Sequence, residues 1–452
     1  MKRYYFIGIG GSGMSSLAQI LSRQGNWVGG SDRSFDRNLN KRFFNKLQRQ
    51  GIFLFPQNEN SITEKLDFLV ISTAIEKNNR QLKKARSLKI PVIHRAELLA
   101  GMFNSSHGIG IAGTSGKSTV TGMVAAILDA AGHDPAVVNG GIIKQYVSRD
   151  LIGNAKSGRT GFMVSEVDES DGSITLFCPK TAVITNISRD HKEVHELKDL
   201  FQTFITNTSK HLILNGDCRE TKTIKPANAL TFGLGPQNTI TADNVKAFTK
   251  GHRFQVKGTS FVLYVAGIHN LYNALAAIAV GVALDIPLNI IKKGLASFRG
   301  IKRRLEIVGQ KNGIIVIDDF AHNPDKIRAS IAALAPMGKR LIIIFQPHGY
   351  GPTRFLLKEL GKTFSSSLTP SDCLLLLDIF DAGGTADRSI TSQDLLNEVS
   401  GPNLFYARQR QNAVMLVKKM VRSEDVIAVM GARDDTLSAF ARKILRQMGG
   451  GV

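Results

Sequence analysis

Two glycine-rich turns in this chain have the composition of phosphate cradles. The tighter one, Gly113-Thr114-Ser115-Gly116-Lys117-Ser118-Thr119, lies between the apolar stretch IGIA and the helix-forming stretch VTGMVAAIL. Its glycines let backbone N–H groups curl around a phosphate, Lys117 supplies a cation, and Ser118 or Thr119 offers a hydroxyl to Mg2+ at a helix N-terminus. A strict P-loop pattern would have glycine at position 111, where this chain has Ile111, so the loop is a shortened variant. The other turn places Gly8, Gly10 and Gly13 in the spacing G-x-G-x-x-G after YYFI. That spacing suits a dinucleotide cofactor or another diphosphate. Asp32, 19 residues past Gly13, could meet a ribose under either reading. The second loop discriminates, because a plain NAD(P)-linked oxidoreductase has no use for it.

Further groups stand at the ends of apolar runs. MVSEVDESDGS crowds Glu166, Asp168, Glu169 and Asp171 together. Such carboxylates repel one another unless a cation is present, so they read either as a divalent-metal site, with Glu166 nearest the strand, or as a solvated acidic turn. VITNISRDHKEVH brings Thr185, Asn186, Asp190 and His191, whose imidazole is a competent ligand if it faces the same site. GIHNLYNALAAIAV sets His269, Asn270 and Asn273 in the first turn of a helix, where an amide can cap the helix or read an adenine edge. KRRLE and IDDFAHNPDKI add arginines for phosphate and carboxylates for a ribose hydroxyl, and FQPHGYGPTR adds His348 and Arg354, an arginine suited to a substrate carboxylate.

These groups need strands to carry them. YYFIGI, DFLVIS, GIGIAG, FMVSEV, TAVITNI, IIVIDD, RLIIIF, DCLLLLDIF and DVIAVMG read as buried strands alternating with helices. The pattern is that of α/β domains with mostly parallel sheets, which bind ligands at the carboxyl ends of their strands. MFNSSHG and SFRGIKRRLE mark two joints, giving domains at 1–105, 106–300 and 301–452; residues 217–262 read as an irregular β-rich excursion. A length of 452 residues, 43% of them hydrophobic, allows two or three cores. The formal charge of +21 is spread along the chain without a basic tail, which favours anionic small substrates over a nucleic-acid partner. Cys178, Cys218 and Cys373 form no CxxC pair, and no apolar stretch reaches the roughly 20 residues of a membrane helix. A cytoplasmic protein without membrane insertion is expected.

In their order along nearly the whole chain, GIGGSGMSSLA, GTSGKST, EVDESDGS, TNISRDH, GIHNLYNALAAIAV, RRLE, DDFAHNP and FQPH resemble the Mur ligase family, the ATP-dependent amide-forming enzymes of peptidoglycan synthesis. The likeness is greatest to the branch that joins L-alanine to UDP-N-acetylmuramate; the alternatives are a recycling ligase attaching a peptide to the same sugar and a divergent member with another amine. The resemblance implies a Rossmann-like N-terminal domain, a central P-loop ATPase-type domain and a Rossmann-like C-terminal domain. It implies UDP-sugar contacts at Gly8, Gly10, Gly11, Gly13, Met14, Asp32, Ser72 and Thr73. ATP would meet residues 113 to 119, then His269, Asn270 and Asn273 at the adenine, Arg304 at the γ-phosphate and Asp319 at the ribose. Mg2+ would sit on Ser118 or Thr119, Glu166 and His191. The amine would lie near His322, Asn323, His348 and Arg354, and the chain would be a monomer or weak dimer. Position 206, where some members carry a carbamoylated lysine, is Thr206, as in the alanine branch. That branch has histidine where this chain has Ser115 and Asn323, and a basic residue where it has Gly349, with an apparent insertion before Thr353.

Overall fold

The computed structural model describes residues 1–188, 193–224, 228–381 and 386–448. The chain forms two compact units: Met1–Lys246 with Arg253–Tyr264 and Asn270–Ile301, and Ala247–His252 with Val265–His269 and everything from Lys302 onward.

The first unit holds two parallel-rich sheets. One comprises β1 (Arg3–Ile7), β2 (Trp27–Ser31), β3 (Phe53–Phe55), β4 (Phe68–Ile71) and β5 (Val92–His94) in the order β3-β2-β1-β4-β5, every pair parallel. The chain reverses its direction of travel across this sheet at β1, so the glycine turn at its carboxyl end opens onto a crevice. The other sheet comprises β6 (His107–Ala112), β7 (Ala136–Val138), β8 (Ala155–Lys156), β9 (Phe162–Glu166), β10 (Thr181–Ile184), β11 (His211–Asn215), β12 (Leu230–Gly233) and β13 (Ile240–Thr241). Its order is β13-β12-β11-β10-β6-β9-β7-β8, with only the β7–β8 pair antiparallel. β6 lies centrally, between β10 and β9, which sets the Lys117 loop beside the turns that follow both neighbours.

These two sheets share a core. Leu17, Leu21, Phe103, Val138, Ile152, Phe177, Phe201 and Phe204 belong to one cluster of buried side chains. A buried amide chain crosses the same junction: Gln19 Nε2 donates to Asn154 Oδ1 at 3.0 Å, Asn154 Nδ2 to Ser15 Oγ at 3.0 Å, and Gln50 Nε2 to Gln19 Oε1 at 3.1 Å. Backbone carbonyls complete the set, with Asn154 Nδ2 also donating to Ser12 O and Gln50 Nε2 to Asp150 O, and a buried network satisfied in this way fixes the register of the surfaces that carry it.

The stretch read as a β-rich excursion divides: β12 and β13 extend the second sheet, and β14 (Asp243–Phe248), β15 (Gly251–Val256) and β16 (Thr259–Leu263) form a third sheet. The fourth sheet, in the second unit, comprises β17 (Glu306–Lys311), β18 (Ile314–Asp319), β19 (Arg340–Phe345), β20 (Cys373–Leu377), β21 (Asn403–Ala407) and β22 (Asp425–Met430), ordered β17-β18-β22-β19-β20-β21. Only β17 runs antiparallel to its neighbour. Its strands are apolar on both faces: Ile315 and Ile317 pack into one cluster, Val316 into the other, as expected of a sheet covered by helices on each side. Among the described residues no helix is long and apolar enough to cross a membrane.

Candidate active site

The Lys117 loop is shaped by the strand beside it. Thr185 Oγ1 donates to Ser115 O at 2.6 Å, Asn186 Nδ2 donates to the same carbonyl at 2.9 Å, and Ser115 N donates to Asn186 Oδ1 at 3.1 Å. Gly113 and Gly116 have φ of +125° and +93°. A Cβ at Gly113 would stand 2.2 Å from Thr185 Oγ1, and one at Gly116 would stand 2.4 Å from Asn273 Oδ1. Both the backbone and the space therefore demand glycine.

Lys117 Nζ donates to Gly113 O and to Glu169 Oε2, each at 2.7 Å. Burial lowers the pKa of the ammonium, but Glu169, Glu166 and Asp168 outweigh it and hold that pKa above the ordinary lysine value. Asp168 moves the other way: burial is overcome by Lys117, by hydrogen bonds from Ser170 and by Arg95, so its carboxyl lies below the usual range. Ser118 Oγ donates to Glu166 Oε2 at 2.8 Å, and Gly140 N donates to the same oxygen at 2.9 Å. The hydroxyl beside Glu166 is thus that of Ser118. Among the described residues no three His, Cys, Asp or Glu side chains group as a metal cage. The Ser118–Glu166 oxygens are hard donors suited to Mg2+, which takes one or two protein oxygens and completes its shell with water and phosphate. His191 lies outside the described residues.

The expected adenine-side groups divide. Asn270 and Asn273 are buried, with Asn273 Nδ2 donating to Asn270 Oδ1 at 3.0 Å, and Asn273 backs the phosphate loop. His269 belongs to the second unit, where burial lowers its pKa against the pull of Asp319.

At the first glycine turn, Gly8 N donates to Ser31 O at 2.8 Å and Gly11 N to Gly8 O at 3.1 Å. Asp32 Oδ2 accepts from Gly10 N and its Oδ1 from Ser34 N, each at 2.8 Å, so this carboxylate pins the turn. Met14 is buried beneath it, whereas Ser72 is half-buried and Thr73 exposed at the end of β4. Sequence reasoning missed Arg95. Its Nη1 would stand 2.7 Å from a Cβ on Gly13, and its Nη2 lies 3.6 Å from Asp171 Oδ2, so it links the glycine turn to the acidic turn. No local spacing announces it, because β1, β5 and the acidic turn are far apart in sequence.

In the second unit the carboxyl ends of β18 and β19 bring His322 and His348 together, ring centroids 4.8 Å apart. His322 Nδ1 bonds Phe320 O at 2.8 Å, and the Arg304 guanidinium lies 4.9 Å from the Phe320 ring centroid. Asn323 accepts from Lys326 N at 3.0 Å as the cap of the helix Pro324–Leu334, a role asparagine fills well. Two expected ligand groups are engaged inside the protein. Asp319 Oδ1 accepts from Leu305 N at 3.0 Å and Phe320 N at 2.9 Å, and Ser330 donates to Oδ2. Arg354 Nη2 pairs with Asp387 at 2.9 Å and Ser389 Oγ at 2.8 Å. The sequence cannot reveal either commitment, since the partners lie on other elements.

Burial, with Lys326, His348 and Arg304 close by, pushes His322 down to about 3, opposed only by its bond to Phe320 O. The folded form therefore stays neutral while the unfolded histidine protonates below its ordinary pKa near 6.5, and stability falls as pH drops through that value. The loss should reach about 2 kcal/mol by pH 5. Melting temperatures taken from pH 7 to 5 should show His322→Asn with a shallower slope than the wild type. An unchanged slope would contradict a neutral His322.

Comparison with known proteins agrees with this arrangement. Three models of one family match: "Mur ligase family, catalytic domain" over residues 3–107, "Mur ligase middle domain" over 111–281 and "Mur ligase, glutamate ligase domain" over 303–433. A protein of Desulfotalea psychrophila named UDP-N-acetylmuramate--L-alanine ligase is 34% identical over 95% of each chain. One of the same name from Koribacter versatilis is 36% identical over 96% of this chain and 94% of its own. The crystal structure of the UDP-N-acetylmuramate-alanine ligase MurC from Thermotoga maritima superposes with a TM-score of 0.81 at 25% identity, covering 99% of both chains. A murein peptide ligase of Psychrobacter arcticus, at 20% identity and a TM-score of 0.68 over all of both chains, shares the fold. With three models of one family matching in order along the chain and relatives 34–36% identical over about 95% of it, the chain belongs to the Mur ligase family.

Proposed function

We propose that this chain is an ATP-dependent ligase that joins the carboxylate of UDP-N-acetylmuramate to L-alanine through an acyl phosphate, in the cytoplasmic synthesis of peptidoglycan precursors. The observation that carries the reading is the Lys117 ammonium held charged between Gly113 O and Glu169, beside the Ser118–Glu166 pair. The names of the full-length relatives support the choice of substrates.

The N–H groups of the 113–119 loop and Lys117 would grip the outer phosphates of ATP and stabilise the migrating γ-phosphoryl group, whose transfer is chiefly a matter of position and charge. Mg2+, held by Ser118 and Glu166 with His191, would neutralise phosphate charge. The turn from Gly8 to Gly13, with Met14 below, Ser72 and Thr73 alongside and Asp32 bracing it, would seat the UDP diphosphate on a helix N-terminus that carries no acidic residue in its first turn. Arg304 would meet the γ-phosphate. His322, a neutral imidazole, and His348 beside it at the end of the fourth sheet would flank the amine as it attacks the acyl carbon and phosphate leaves. The chain would act as a monomer or weak dimer, and its three free cysteines suit a reducing compartment.

Phosphate release from ATP should require UDP-N-acetylmuramate and alanine together. Release that ignores the sugar nucleotide, or saturable NAD(P) binding without response to it, would overturn the reading. Turnover with short peptides but not alanine would move the chain to the peptide-ligase alternative.

A further inference from the structure

β22 lies between β18 and β19 in the fourth sheet, so the turn that follows it stands between the loops that carry His322 and His348. That turn, Gly431-Ala432-Arg433-Asp434, is tied down at both ends. Gly431 N donates to Asp319 O at 3.2 Å, Gly431 O accepts from Arg303 Nη2 at 2.7 Å, and Asp434 accepts from Thr436 N at 2.9 Å while pairing with Arg410. Between these anchors Arg433 has φ of +63°, a conformation uncommon for a residue with a side chain. The turn thereby presents an exposed guanidinium over Gly349, the residue that follows His348: a Cβ on Gly349 would lie 3.8 Å from Arg433 Nη1.

Other arginines of this unit are paired: Arg303 faces Asp318 and Asp435, Arg354 faces Asp387, Arg388 faces Asp381 and Arg410 faces Asp434. Arg433 makes no hydrogen bond or ion pair among the described residues. Gly349 contributes no side chain of its own, so the cation reaches this spot from a different strand.

We propose that Arg433 binds the carboxylate of the amine substrate, and so selects a free α-amino acid over a peptide. The inference rests on the ligase reading above. A planar guanidinium matches a carboxylate with two parallel N–H donors. An α-amino acid offers that carboxylate one carbon from its amine, where a peptide offers a neutral amide.

The test compares alanine with alaninamide in the phosphate-release assay at saturating ATP and UDP-N-acetylmuramate. The wild type should favour alanine. In Arg433→Gly the KM for alanine should rise on the order of 10- to 100-fold, the scale of a lost charge-assisted hydrogen bond, while KM for ATP and the sugar nucleotide and the rate with alaninamide stay put. Arg433→Lys should fall between. Glycine takes φ of +63° without strain, so the variant should melt no lower than the wild type and a folding defect cannot account for the loss. Undiminished preference for alanine over alaninamide in Arg433→Gly, or a rise confined to the KM for ATP, would overturn the assignment. Wild-type turnover with peptides alone would also overturn it while sparing the ligase chemistry, whereas no sugar-dependent turnover with any amine would remove the ligase reading and this inference together.

Discussion

Lys117→Ala should lower phosphate release by about a thousandfold or more while leaving binding of the UDP-sugar intact. The size follows from what the lysine does. On the proposed mechanism it would place a full positive charge where the migrating phosphoryl group develops its own, and a preorganised donor of that kind is worth roughly 100- to 1,000-fold even when neutral. The sugar nucleotide is spared because its proposed cradle hangs from β1, held by Ser31 and Asp32. The substitution also has a structural cost: Glu169, only 4% exposed, loses its cation. An unpaired buried carboxylate can cost about 3–5 kcal/mol. The double variant Lys117→Ala with Glu169→Gln separates the two effects. It should recover most of the melting temperature and none of the activity. If activity returned with stability, Lys117 would be a strut for the loop and not its phosphate-binding cation. Because its neighbours hold Lys117 charged, raising the pH to 9 should not reproduce the defect.

Glu166→Ala should be the next most damaging change, lowering the rate on the order of 100-fold and raising the Mg2+ concentration needed for half-maximal rate at least about tenfold. Glu166 Oε2 gathers Ser118 Oγ and Gly140 N, so it both supplies a hard oxygen and holds the hydroxyl beside it. Ser118→Ala removes only the weaker of the two donors and should shift the Mg2+ dependence less. A Glu166→Ala enzyme whose rate falls with an unchanged Mg2+ titration would show that the carboxylate positions Ser118 and Gly140 without serving a metal.

Elements whose physics is local were legible in the sequence. Continuous apolar runs such as RLIIIF and DVIAVM became β19 and β22, because a strand buried on both faces needs nothing else to announce it. WVGGS gave no such signal, yet it is β2: a Cβ on Gly30 would stand 2.6 Å from Phe6 O, so the glycine that looks like a turn residue is there to admit the neighbouring strand. The same division holds at the site. The 113–119 loop is readable because strand, turn and helix are contiguous. Its shaping by Thr185 and Asn186 depends on the pairing of Ala112 with Ile184, which joins positions some seventy residues apart. The commitments of Asp319 to Ser330 and of Arg354 to Asp387 are likewise products of packing, and Arg433 owes its position to the place of β22 between β18 and β19.

The buried amide chain from Gln50 through Gln19 to Asn154 has a consequence for chemical ligands. It ties together the two sheets that carry the proposed anion-holding turns of the first unit, so the distance between those turns is set when the protein folds. A single molecule carrying a diphosphate mimic at one end and a triphosphate mimic at the other, joined by a tether of matching span, would gain its second foothold at high effective concentration, without first waiting for those two turns to find each other.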